Sequence, residues 1–266
     1  MSPDDTYTHG HADSVLRSHR WRTVANSAPH LVPHLRPGLD LLDVGCGPGT
    51  ITADLAARVA PGRVVGMDRS PDVIAAAAAS GFGSDGLTFV VGDVYALDAP
   101  DASFDVVHAH QVLQHLSDPV AALVEMRRVC RADGVLAVRE SDYAAFTWDP
   151  PDPALDRWLA VYRAVARGND ADPDAGRRLK GWALAAGFGS VSVSCTVWTF
   201  STPDERAWWG GLWADRVTGT TLADQAVAAG LATRDELAAM ASAFHRWAAD
   251  DTAAFIVPSV EILARP

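Results

Sequence analysis

The chain has 266 residues, of which 48% are apolar and 21% charged, as in an ordinary folded protein with no long disordered or low-complexity region. Its 22 basic and 33 acidic residues give a formal charge of −11, which disfavours nucleic acid, anionic membrane surfaces and any phosphate-rich polymer as partner or substrate. No run approaches the roughly 20 apolar residues of a membrane span, the opening MSPDDTYTHGHADS lacks the apolar core of a signal peptide, and a cytoplasmic location is expected. Cys46, Cys130 and Cys195 lie far apart in no CxxC pair, so no disulfide framework is expected, and Cys46, inside a glycine turn, is given no chemical role.

Residues 1–38 read as a helical preface, with Val15, Leu16, His19, Val24 and Ala28 on one face after Asp13, ended by Pro33, Pro37 and Gly38. From Leu39 short apolar runs alternate with helices. LDLLDVG leads to a helix over Thr50 to Ala60, and RVVGMD to a helix after Ser70-Pro71. LTFVVGD and FDVVHAH follow, then a helix over Asp118 to Arg131 and the run GVLAVRE. Such runs predict parallel strands covered on both faces. The rhythm breaks after Tyr143. Helices near 153–167, 173–187 and 203–249 are interleaved with two strand candidates, VSVSCTVWTF and AAFIVPSVEILAR, and eight of the nine tryptophans fall in this part. The expected organisation is therefore a lid over 1–38, a nucleotide-binding core over 39–143 and a helical cap over 144–266, threaded between the last strands.

The most informative segment is LLDVGCGPGT, between the first strand and the first helix. Its glycines permit a tight turn and close approach of a ligand to backbone amides at a helix N-terminus. Gly49 comes one position too early for the dinucleotide fingerprint GxGxxG, and no glycine follows it. Asp68 closes the second strand, where a carboxylate accepts hydrogen bonds from ribose hydroxyls. Asp93 closes the third, where it and the amide of Val94 border a base, and His110-Gln111 close the fourth. Each acid taken singly is equally a cap or turn residue. Together they mark the carboxyl edge of an open sheet, where ligands bind.

LLDVGCGPGT, VVGMDRS, VVGDVYALDAPDASFDVVHAHQVLQHLSDP and EMRRVCRADGVLAV resemble the class I S-adenosylmethionine-dependent methyltransferases, particularly the type that includes quinone-biosynthesis enzymes and many natural-product methyltransferases. The resemblance covers about residues 39 to 140. It implies a doubly wound α/β fold with a seven-stranded, mostly parallel sheet, order 3-2-1-4-5-7-6 and the last strand antiparallel. It also implies S-adenosyl-L-methionine as cofactor and a small-molecule acceptor. By it Asp43, Gly45, Gly47 and Gly49 form the cofactor loop, Asp68 with Arg69 lies at the ribose, Asp93 and Val94 border adenine, and His110 with Gln111 lies beside the methionine moiety.

For the transfer itself His115, Glu140, Asp142 and Tyr143 are candidates, because they follow the fourth and fifth strands at the ligand-binding edge. His115 and Tyr143 are the expected catalytic residues, and Tyr7, His115, Asp142 and Tyr143 the expected substrate contacts. The alternatives are that His115 caps the helix starting near Ser117 and that Asp142 or Glu140 only joins a surface ion pair. Tyr7, His9 and His11 belong to the expected lid. His108, two residues before His110 on one strand, faces the same side, but without carboxylate or thiolate partners at ligand spacing no metal is expected. Trp208, Trp209 and Trp213 have helical spacing, which suits core packing, and an aromatic-rich cap also suits a flat or hydrophobic acceptor. A nicotinamide-dependent oxidoreductase and a non-catalytic binding protein of the same fold are the competing readings.

Overall fold

The computed structural model describes residues 21–82 and 85–266. Among them the strands are β1 (Leu41–Val44), β2 (Val64–Asp68), β3 (Leu87–Val91), β4 (Phe104–His110), β5 (Cys130–Ser141), β6 (Thr147–Asp149), β7 (Ser190–Phe200) and β8 (Ala254–Arg265). They form one sheet in the order β3-β2-β1-β4-β5-β8-β6, with β7 also pairing with β8. Strands β1 to β5 are parallel, and β8 runs antiparallel to β5, β6 and β7. This is the expected doubly wound order with one addition. β6 is only three residues long and pairs with β8 at Ala254 to Ile256, beyond the last β5 pair, Ser141 with Ser259. So short a strand shows no alternation, which is why the sequence did not predict it.

The strand runs are apolar at successive positions because each strand divides its side chains between two covered faces. Leu41, Val106 and Ala137 enter one core with Val24 and Leu31; Leu42, Val107, Leu136 and Val138 enter the other. Helix α1 (Thr50–Val59) supplies Ile51, Leu55 and Val59 to the first core. α3 (Pro119–Val129) and α5 (Leu179–Ala185) close the second. A third, aromatic core joins α4 (Pro153–Gly168), α6 (Pro203–Gly219), α7 (Thr221–Ala228) and α8 (Arg234–Ala249) to the ends of β7 and β8.

Helix starts follow one local rule. α2 (Pro71–Ala79), α3, α4 and α6 each begin with proline after a capping Ser70, Asp118, Asp152 or Thr202, whose side chain accepts a first-turn amide. Proline suits that position because its φ is already helical and the missing amide would have had no intrahelical partner. Asp118 therefore caps α3, and the alternative of His115 as the cap does not hold: His115 ends a separate 3-10 turn, Leu113–His115.

Tyr7, His9, His11, Val15, Leu16 and His19 lie outside the described residues. The remaining preface is one helical turn, Val24–Ser27, and a 3-10 turn, Pro29–His34, separated at Ala28 (φ −142°). A residue before proline avoids the helical region, so the continuous helix expected through Val24 and Ala28 breaks there.

Candidate active site

The glycine segment turns sharply off β1. Gly45, Gly47 and Gly49 have φ of 67°, 53° and 82°, a left-handed backbone open to residues without a Cβ. A Cβ on Gly45 would fall 2.4 Å from Cγ2 of Val112, and one on Gly49 would fall 2.7 Å from Cζ of Phe89. Asp43 fastens the turn from beneath: its Oδ2 accepts the Thr52 hydroxyl at 2.6 Å, and its Oδ1 lies 2.7 Å from Nδ1 of His108. The sequence carries no signal for the Thr52 and His108 braces: the spacing of His108 to His110 fixes only the face of β4 on which its ring lies, and the ring meets Asp43 on the adjacent strand.

Asp68, at the end of β2, accepts the Gly47 amide at 3.1 Å on one oxygen and the Ser70 amide at 3.0 Å on the other. An ionised carboxylate has about four acceptor sites, so capacity remains for two ribose hydroxyls. Asp93 accepts the Tyr95 amide at 3.0 Å, which folds the chain so that Val94 and Tyr95 border the same space.

The loop after β4 is held by the end of β5. Gln111, at φ +54°, receives the Arg22 guanidinium on its carbonyl at 2.6 Å and donates its amide to the Ser141 hydroxyl at 2.6 Å. Oε1 of the fully buried Glu140 accepts the amides of Val112 at 2.8 Å and Leu113 at 2.7 Å. Burial, against the pull of these amides, pushes the Glu140 carboxyl up to about 8.

A single cavity of about 740 Å³ runs from the glycine turn to the aromatic core. Asp43, Gly45, Gly47, Asp68, Arg69, Asp93, Val94, His110 and Gln111 line one end; His115, Tyr143, Trp198, Trp208, Trp209, Trp213, Arg216 and Trp21 line the other. Gly49 is not on the wall; it lets Phe89 pack behind the turn. Asp142 is also off the wall, because its two oxygens receive Arg177 at 2.6 and 2.8 Å, so the expected substrate contact is replaced by an ion pair. Arg22, Gln114, Ser141, Trp198 and Arg216 are wall residues that the sequence did not single out, since only the tertiary fold brings them together.

Burial, reinforced by the Arg22 charge, holds His115 down to about 3, so its imidazole is neutral at physiological pH. Burial raises Tyr143, whose ring stacks on Phe146 at 4.3 Å and Tyr162 at 4.2 Å, so its phenol keeps its proton. Burial likewise raises Cys46, which leaves it an inert thiol. Among the described residues no group of three or more His, Cys, Asp or Glu is placed to hold a metal ion, and no helix is long and apolar enough to cross a membrane.

The model of a methyltransferase domain matches residues 42–138. An uncharacterized methyltransferase of Schizosaccharomyces pombe is 32% identical, over 97% of this chain and 95% of the relative. The probable methyltransferase ltbC of Aspergillus luteorubrus is 30% identical, over 98% and 97%. In fold the chain is similar to phosphoethanolamine N-methyltransferase 2 of Haemonchus contortus, solved with S-adenosyl-L-methionine. The TM-score is 0.60 at 15% identity, covering 96% of this chain and 57% of that one. Because relatives align along almost the whole length, and not only through the glycine-turn half, the chain belongs to the class I S-adenosylmethionine-dependent methyltransferases.

Proposed function

We propose that this methyltransferase acts on a small, flat aromatic or hydrophobic metabolite, in secondary metabolism, by in-line transfer of the methyl group. The observation that carries the reading is the continuity of the cavity: the cofactor end opens directly onto a wall of tryptophans, at a total volume in the range of small-molecule sites. The charge of −11 supports such an acceptor over nucleic acid.

The residues present fit the cofactor. The turn leaves no room for a Cβ at Gly45, and Asp68 retains acceptor capacity towards ribose. When bound, S-adenosylmethionine supplies an electrophilic methyl on a sulfonium centre. The chain contributes position: the Asp43, Thr52 and His108 contacts stiffen the turn, and Gln111 is clamped between Arg22 and Ser141. At the acceptor, neutral His115 accepts a hydrogen bond and the protonated Tyr143 donates one, so the pair orients a hydroxyl or ring substituent; His115 is too weak a base to retain a proton near neutrality.

Incubating the protein with methyl-labelled S-adenosylmethionine and fractionated metabolite extract tests this. Label in a small aromatic product is expected; label only in protein or nucleic acid, or no transfer to any fraction, overturns it.

A further inference from the structure

Strand β7 lies at the end of the sheet away from β3. Its residues pair with β8 from Ser190 opposite Arg265 to Phe200 opposite Phe255 without a shift of register, and among the described residues no strand pairs with its second edge. Such edges are ordinarily guarded by lysine, proline, a bulge or brevity, because unpaired amides and carbonyls template another strand. β7 has none of these guards: SVSVSCTVWTF is long and regular and contains neither a charged residue nor proline.

Alternation divides its side chains between two faces. Ser194 and Thr196 donate to Glu261 at 2.9 and 2.5 Å, and Trp198 and Phe200 enter the aromatic core, so one face is fixed inward. A slip of one residue would bury the wrong set, so the outward set is equally fixed. It begins with Val191, which packs on the second core, and continues through Val193, Cys195 and Val197, all exposed, the two valines at 50% and 53%.

The two ends of the strand differ in charge. Exposed Arg265 lies beside its start, as the β8 partner of Ser190, and exposed Asp204 and Glu205 follow its end, in the first turn of α6. Copies of a chain with a charge of −11 repel one another over most of their surface. An uncharged edge between a basic start and an acidic end is favoured instead, because antiparallel pairing sets each start beside the other copy's end.

We propose that two copies of this chain join through β7, antiparallel about a two-fold axis at Cys195, so that the sheet continues from one copy into the other. This register sets Val193 opposite the partner subunit's Val197 and Cys195 opposite the partner subunit's Cys195. The valine pair occurs twice because the interface is isologous, and cross-strand pairs of β-branched residues are favourable. The joining strand also carries Trp198 on its inner face, so each copy's interface strand is one wall of its own cavity.

Light scattering on the full chain at micromolar concentration is expected to give twice the chain mass. Replacing both exposed valines, Val193→Lys with Val197→Lys, should raise the dissociation constant at least about tenfold, since lysine guards an edge, while S-adenosylhomocysteine binding shows that the variant is folded. A short bis-maleimide should link wild-type copies through Cys195, because Cys46 and Cys130 are buried and Cβ atoms opposed across an antiparallel pair lie about 4.5 to 5.5 Å apart. Cys195→Ser should abolish the link and keep the dimer; the link in wild type is the decisive measurement if the lysine variant does not fold. A monomer at every concentration, as would follow if residues 1–20 or another protein occupied the edge, overturns the proposal. So does a dimer of unchanged strength in the folded lysine variant, or one that cannot be linked through Cys195.

Discussion

Oε1 of Glu140 accepts the Val112 amide at 2.8 Å, so a carboxyl behind the cavity wall holds the loop that carries Gln114 and His115. Among the described residues its buried Oε2 has no partner, which favours the protonated form. With a folded value raised from 4.5 to about 8, the folded chain keeps a proton that the unfolded chain releases, and this carboxyl's contribution to stability declines as pH rises through that window. His115 and His30, both held below 6.5, contribute the opposite slope at lower pH, so the test is a comparison. Melting temperatures of wild type and Glu140→Gln from pH 5 to 8 should diverge, with the wild type losing ground as pH rises; parallel curves would refute the assignment.

Asp68 links the glycine turn to the start of α2 and faces the cofactor end. Two charge-assisted bonds to ribose are worth roughly 1.5 to 3 kcal/mol each. Asp68→Ala, if both bonds are lost, should therefore weaken S-adenosylhomocysteine binding by about a hundredfold to ten-thousandfold, at about 1.4 kcal/mol per decade. Calorimetry that shows an affinity within about threefold of wild type would remove Asp68 from the cofactor site.

Gly45 and Val112 couple the turn to the loop after β4. Gly45→Ala forces a side chain into a left-handed backbone, at about 1 to 2 kcal/mol, and into the Val112 methyl only 2.4 Å away. Val112→Ala relieves the second cost but not the first. Chemical denaturation of the four proteins should show a favourable coupling of about 1 kcal/mol or more between the two substitutions; strict additivity would mean that the backbone, not the contact, excludes a side chain there.

His115 and Tyr143 are expected to act on the acceptor and not on the cofactor. His115→Ala should leave S-adenosylhomocysteine affinity within about threefold and cut turnover by about tenfold or more, as loss of an orienting contact requires. Because the imidazole is held near 3, the pH profile of kcat/KM should show no histidine ionisation between pH 5 and 8. A limb near 6.5 that disappears in the alanine variant would show that His115 titrates as a base after all.

Tyr143→Phe keeps the stack on Phe146 and Tyr162 and removes the phenol together with its hydrogen bond to the Tyr162 side chain. Turnover is expected to fall by several-fold, at about 1 kcal/mol for one neutral hydrogen bond, with the melting temperature lowered by no more than about 2 to 4 °C. A large loss of stability with normal turnover of the folded fraction would assign the hydroxyl to packing.

The half of the site made by consecutive strand ends was legible in the sequence because its geometry is local. A strand, a glycine turn and a helix place Asp43, Gly45 and Gly47 together whatever the rest of the chain does, and Asp68, Asp93 and His110 follow from parallel strands that all end on one edge. Helix starts were similarly local, since a capping side chain and proline act within a few residues. Most of the aromatic half was not: His115 and Tyr143 follow from their places after β4 and β5, but Trp21, Trp198 and Arg216 are far apart along the chain, and which of them faces the cavity depends on how the cap helices pack over β7 and β8. The same holds for Asp142, whose partner is Arg177, and for Glu140, whose partners are backbone amides of another loop. Spacing along one element determines a side chain's direction; its partner, its burial and therefore its charge state depend on contacts between distant segments, and only the tertiary structure decides them.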